Sequence, residues 1–227
     1  MTGEEIKIIW LTLRVATIST LATLPFALWV GWILARKNIV GKPVIEAFIS
    51  LPLVAPPVVT GYILLIMLGR NGFIGNWLYN WLGIRLTFNF AALVIASAVV
   101  SFPLAVRSIR SAFELIDPAY EKASLTLGAS RLATFFRVSL PMALPGVLSG
   151  MVLSFARSLG EFGASITLAG NIEGKTQTIS IMVYSNMQIP GMESQVIRLV
   201  LISILISFAA IAASEILNKR KKYLVRS

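Results

Sequence analysis

The chain has 227 residues, 56% of them hydrophobic and 13% charged, and a mean hydropathy of +0.81. That balance predicts an all-α integral membrane protein with about five transmembrane helices of ~20 residues, leaving no length for a separate soluble domain. Cysteine and histidine are both absent, which excludes disulfides, thiolate or histidine zinc sites, and Ser-His or Cys-His catalysis; no catalytic residue, metal or cofactor is expected. A net charge of +10 would suit nucleic acid, but the basic residues gather on alternate loops, as they do in membrane proteins. The expected surface partner is therefore membrane lipid, with no nucleic acid.

The N-terminal MTGEEIK carries Glu4 and Glu5 ahead of a long apolar run, a pattern that fits a retained span and not a cleaved signal peptide. The first span is expected over 8–35, with Arg14 snorkelling to the interface. Arg36, Lys37 and Lys42 follow in a short loop. A second span over 44–68 contains Pro52, Pro56 and Pro57. Those prolines predict either a broken helix, whose freed carbonyls face protein or water, or a proline kink against neighbouring helices. The interval 70–88, with Trp77, Tyr79 and Trp81, reads as interfacial. A third span over 90–106 carries Pro103 and ends at Arg107 and Arg110.

Residues 117–141, DPAYEKASLTLGASRLATFFRVSLP, are the longest polar, charge-bearing stretch between two apolar runs. Asp117 is an expected N-cap with Pro118 at the first helical position. Gly128 is expected to end a first short helix in the left-handed conformation, and Ser130 to cap a second. Leu125, Leu132, Phe135 and Phe136 supply apolar surface, while Lys122, Arg131 and Arg137 hold the segment out of the bilayer.

A fourth span is expected over 140–158, opening with Pro141 and containing Pro145. Its Gly146-x-x-x-Gly150 permits close helix approach, either within the chain or between copies. After LGEFGASITLAG, residues 179–189 are too short to cross a bilayer and read as re-entrant or interfacial. A fifth span over 196–217 ends in Lys219, Arg220, Lys221 and Lys222. The loops on one side hold Arg36, Lys37, Lys42, Arg107, Arg110, Lys122, Arg131, Arg137 and this tail; the other side holds only Arg70, Arg85 and Lys175, besides Lys7. The 117–137 segment and the C-terminus are thus expected in the cytoplasm, and five spans put the N-terminus outside.

Two candidate sites stand out inside the chain. Gly174-Lys175-Thr176 imitates the end of a Walker A loop, but Ala169 occupies the position where that loop needs its first glycine, and no strand-loop-helix context surrounds it. Arg157 and Glu161 are four apart and would share a helix face. Ionisable groups at membrane depth line water-filled paths or pair inside the bundle, so the two readings are a gate on an anion route and an internal salt bridge. Gly160 and Gly163 beside them permit close packing or local unwinding.

Glu121-x-Ala123, Gly128 and Val138-x-Leu140-Pro141 resemble the EAA signature of binding-protein-dependent ABC importer permeases, with Lys122 and Val138 as departures. The resemblance implies a type I ABC importer permease fold in which 117–137 is the coupling segment. Glu121, Ala123, Leu127, Gly128, Leu140 and Pro141 would then engage the ATP-binding subunit. The blocks at 50–65, 68–75, 101–110 and 155–179 are in turn similar to the permeases of oxyanion importers. Molybdate permeases are the best fit, while sulfate, thiosulfate and tungstate permeases share parts. This implies a homodimer with an axial pore, two ATP-binding subunits at the cytoplasmic face, and a periplasmic or lipid-anchored oxyanion-binding protein. Alternating access would be driven by ATP hydrolysed on a partner chain in the bacterial inner membrane. Some relatives carry a further N-terminal span, which is not expected here. Gate or pore candidates are Arg157, Glu161, Gly160, Gly163, Pro56 and Pro57. A stand-alone secondary transporter would need internal repeats or an ion-coupling carboxylate, for which Glu161 is the main candidate and Glu215 lies by the tail. A membrane enzyme would need serine-lysine or paired-carboxylate chemistry, and no arrangement suggests either.

Overall fold

The computed structural model describes residues 3–224, with side chains as far as residue 212; Glu215 and the basic cluster Lys219, Arg220, Lys221 and Lys222 lie outside the described side chains. All regular secondary structure among the described residues is helical. They form α1 (Gly3–Arg36), α2 (Lys42–Val54), α3 (Pro57–Leu68), α4 (Phe73–Leu82), α5 (Phe90–Glu114), α6 (Pro118–Thr126), α7 (Arg131–Thr134), α8 (Leu140–Leu159), α9 (Gly163–Ala169), α10 (Ile179–Asn186) and α11 (Glu193–Leu224). Four helical stretches are long and apolar enough to cross a membrane, and α2 with α3 makes up to five.

The α2–α3 pair is bent by 106°, so the proline cluster breaks the helix and does not merely kink it. Pro57 has no N–H to lose at the start of α3, and Pro56, with extended backbone (φ −52°, ψ 129°), cannot continue α2. The helix over the fourth expected span begins earlier, at Arg131, and runs to Leu159. It passes through a single π-helical turn at Phe135–Ser139.

The bundle is organised on α5, which packs against α1 on one side and α8 on the other. Small residues set these distances. A side chain at Gly31 would meet Ile109 and the Arg110 backbone, and one at Gly150 would meet the Ala105 carbonyl oxygen at 3.2 Å. Gly146 likewise lies against Ala112, and its carbonyl accepts from Ser108 Oγ at 2.9 Å. The Gly146-x-x-x-Gly150 face is therefore spent within the chain, on α5. Buried hydroxyls complete the seams, with Ser19 donating to Ser158 Oγ at 3.2 Å and Ser154 to Ser101 Oγ at 2.9 Å. In a bilayer such contacts matter because helix packing gains nothing from leaving one hydrocarbon for another.

Two larger apolar clusters fill the two ends of the bundle. One gathers Ala27, Leu34, Val106, Ile109, Phe113 and Val147 next to α6; the other gathers Val15, Leu93, Val100, Leu168 and Ile181 at the opposite end. Helix α10 seats one face in the bundle: Ile179, Ile181 and Met182 are buried, and the Ile179 N–H donates to Thr12 Oγ1 at 2.9 Å, while Tyr184 is exposed. Helix α11 is loosely seated, only 6% of its apolar window being covered against 50% for α5. An ion pair from Arg198 to the buried Glu5 (2.9 Å) fastens its start to α1.

Helices α3 and α9 also approach backbone to backbone. A Cβ on Gly61 would stand 2.7 Å from Ala164 Cα and 2.8 Å from its carbonyl oxygen, atoms that cannot move without shifting α9. Gly61→Val is expected to destabilise the fold by about 1–3 kcal/mol, read as a lowered unfolding temperature of the purified chain.

Candidate functional site

The polar segment is built by its caps. The Asp117 carboxylate accepts the Ala119 N–H at 2.8 Å and Pro118 opens α6. Gly128 takes φ +89°, where other residues are strained, and Ser130 Oγ accepts the Ala133 N–H at 3.2 Å. Ser124 and Thr134 hydroxyls meet at 3.0 Å across the turn. The segment differs in one respect from two separate short helices: α7 is only four residues long and continues into α8.

Glu121 is the anchor. Its Oε1 accepts Arg36 Nε at 3.0 Å and Ser139 Oγ at 2.6 Å, with Arg36 Nη2 also at 3.0 Å. Arg36 in turn donates to the Ile116 carbonyl at 3.2 Å. One carboxylate thus ties α6 to the last residue of α1 and to the π turn before α8. Both charged side chains are less than a fifth exposed, so water screens the pair only partly. Beneath it Phe135 turns inward, edge-on to Trp32 at 5.7 Å and beside Phe113 at 6.0 Å. Leu140 packs into the same core cluster.

The other face of the segment points away from the bundle. Leu127 is 88% exposed, and Tyr120, Leu125, Leu132 and Phe136 are exposed with it. Ala123 and Pro141 are also exposed. The segment therefore presents an apolar knob on a rigid base.

At the far end of α8 sits the second group. Arg157 Nη2 lies 2.8 Å from Glu161 Oε2, and Glu161 Oε1 accepts the Ala164 N–H at 2.8 Å, capping α9. Glu161 is buried while Arg157 is partly open. A Cβ on Gly163 would stand 2.8 Å from Pro57 Cβ and 3.0 Å from the Val58 nitrogen, so the α9 start and the α2–α3 break are in contact. The fold brings Arg157, Glu161, Gly163 and Pro57 into one corner, with Pro56 next in chain. Gly160 is different: it follows the last residue of α8, and a Cβ there would meet nothing within 4 Å, so no neighbouring atom of this chain requires a glycine at that position. In the Gly174-Lys175-Thr176 loop, the Thr176 hydroxyl accepts the Ile172 N–H and donates to the Gly170 carbonyl. Its threonine is spent on the loop itself.

Arg36 and Ser139 were not legible as site residues. They lie 85 residues before and 18 residues after the other members of their bonds, and no local pattern links them. The available hint was chemical, since a carboxylate beside a packed helix end needs a cation.

Residues 24–223 match the family described as binding-protein-dependent transport system inner membrane component. The molybdenum transport system permease protein ModB of Haemophilus influenzae is 54% identical over 95% of this chain and 94% of its own length. Its Escherichia coli K12 counterpart is 47% identical over 95% and 94%. The E. coli sulfate transport system permease protein CysT is 38% identical over 78% of this chain and 64% of its own. Among solved structures, the inward-facing MetNI methionine ABC transporter matches with a TM-score of 0.73 at 16% identity, covering 97% of this chain and 99% of that one. A bacterial alginate ABC transporter also gives 0.73, covering 97% and 80%. The fold is thus that of the ABC importer permeases, and the chain belongs to the binding-protein-dependent transport system inner membrane component family.

Proposed function

We propose that this chain is the permease of an ATP-driven importer whose cargo is molybdate. The observation carrying the substrate is the 54% identity to a molybdenum permease, sustained over nearly the full length of both chains. Two copies form the conduit, with their N-termini outside and α6 in the cytoplasm. The exposed Tyr120, Leu125, Leu127 and Leu132 seat in a groove of an ATP-binding subunit, since apolar surface on a rigid base is what such a partner would bury. A substrate-binding protein delivers the oxyanion from the other side. The Arg157–Glu161 corner is the gate: its guanidinium meets the anion and its carboxylate holds the guanidinium in place. Molybdate and sulfate are both tetrahedral dianions, so discrimination rests largely with the binding protein.

Reconstitution in sealed vesicles tests this reading. With its ATPase and binding protein, the chain is expected to accumulate labelled molybdate only when ATP is supplied; alone, it neither hydrolyses ATP nor transports. Uptake of sulfate without molybdate would move the assignment to the sulfate permeases, and uphill transport by the chain alone would overturn it.

A further inference from the structure

At the end of the bundle opposite α6, a cavity of about 450 Å³ lies between α3, α4 and the loop leading into α5. Two guanidinium groups converge there on one ring. Arg70 Cζ stands 5.0 Å from the Tyr79 ring centre and Arg85 Cζ 5.2 Å from it, and Arg85 Nη2 is 3.5 Å from the Tyr79 hydroxyl. Among the described residues neither arginine is paired with a carboxylate, although Arg36, Lys42, Arg110, Arg157 and Arg198 all are. The Arg85 hydrogen bond, then the charges of Arg70 and Arg85, pull the Tyr79 phenol below its ordinary value of 10.0, as a local excess of positive charge requires.

The remaining walls are chiefly apolar, formed by Leu65, Leu68, Ile84, Leu86 and Phe88. Phe73, Trp77 and Trp81, four apart along α4, expose a stripe of aromatic surface on the face of that helix turned away from Gly75 and Tyr79. Arg14, stacked 5.2 Å over the first ring of α5, Phe90, adds a third cation near the same corner. Tryptophan and arginine in this arrangement mark the headgroup level of a bilayer.

We propose that this cavity binds the phosphodiester of an anionic glycerophospholipid in the leaflet opposite α6, with Arg70 and Arg85 on the phosphate and the apolar walls on the glycerol and upper acyl chain. A bare oxyanion fits less well. It would give up its hydration against walls that are chiefly leucine, isoleucine and phenylalanine, with two guanidinium groups as its charged partners, whereas a lipid brings its own apolar cover.

The full-length chain, purified with the subunits that accompany it and stripped of lipid, would be titrated with phosphatidylglycerol and with phosphatidylcholine, bound lipid being counted by native mass spectrometry. Phosphatidylglycerol is expected to bind about tenfold more tightly: both lipids offer the phosphodiester, but the choline ammonium sets a further positive charge beside the two guanidinium groups. Arg70→Gln with Arg85→Gln should abolish that preference, and Arg70→Lys with Arg85→Lys should keep part of it. Molybdate and inorganic phosphate should not displace the lipid. Equal affinity of the native chain for the two lipids would overturn the proposal, and so would a glutamine variant that keeps the preference. Displacement by molybdate would instead assign the cavity to the transported anion. Should the glutamine variant not fold, the native chain and the lysine variant still decide the matter.

Discussion

Glu121→Arg is expected to lower ATP-driven uptake on the order of 100-fold while leaving the chain inserted in the membrane. The substitution removes an acceptor shared by Arg36 and Ser139 and sets two guanidinium groups against each other. Hydrogen bonds to charged groups contribute about 1.5–3 kcal/mol each, so losing them lets α6 swing independently of α1 and α8. Force applied to the exposed knob then reaches neither helix. Glu121→Gln keeps one acceptor oxygen for Ser139 and should lose far less. Exchanging the charges, Arg36→Glu with Glu121→Arg, should recover a large part of the uptake, because the pair re-forms in reverse. Vesicle uptake beside membrane-fraction immunoblots reads all four proteins, and native uptake by Glu121→Arg would remove this carboxylate from the coupling path.

Arg157→Leu is expected to cost about 3–5 kcal/mol of stability, since it strands the buried Glu161 carboxylate without its cation. Removing both charges, Arg157→Leu with Glu161→Leu, should regain most of that loss, apolar pairs being as good as ion pairs in such settings. The recovery should fall short by about 1 kcal/mol, the contribution of the cap that Glu161 makes to the Ala164 N–H. The transport readout separates the two roles of the pair. A stable double variant is expected to remain inactive, because no guanidinium then faces the anion. If its uptake returned with its stability, the pair would be an internal bridge and nothing more.

Much of the architecture was legible because each local signal was self-contained. Asp117, Gly128 and Ser130 act within four residues of themselves, and their caps form as the sequence pattern predicts. The three prolines at 52–57 showed an interruption but not its size; whether prolines kink or break a helix depends on what packs against the gap. Here Gly61 and Gly163 let α9 come close enough to fill it. The partner of Gly146 and Gly150 was equally undecided by spacing, because a small-residue face fits any helix that can reach it. Phe135 and Leu127 illustrate the remaining difficulty. Both are apolar residues of one polar segment, yet the π turn rotates the first into the core, and the helix end leaves the second in the open.

That wide turn at Phe135–Ser139 has a mechanical meaning. It holds one residue more than an ordinary turn, which offsets the faces of α7 and α8 by about 100° from the phase an unbroken helix would give them. The twenty residues of α8 then form a shaft about 30 Å long, from the Glu121 tether to Arg157. Tightening the bulge to regular geometry would turn that shaft about its own axis by the same angle.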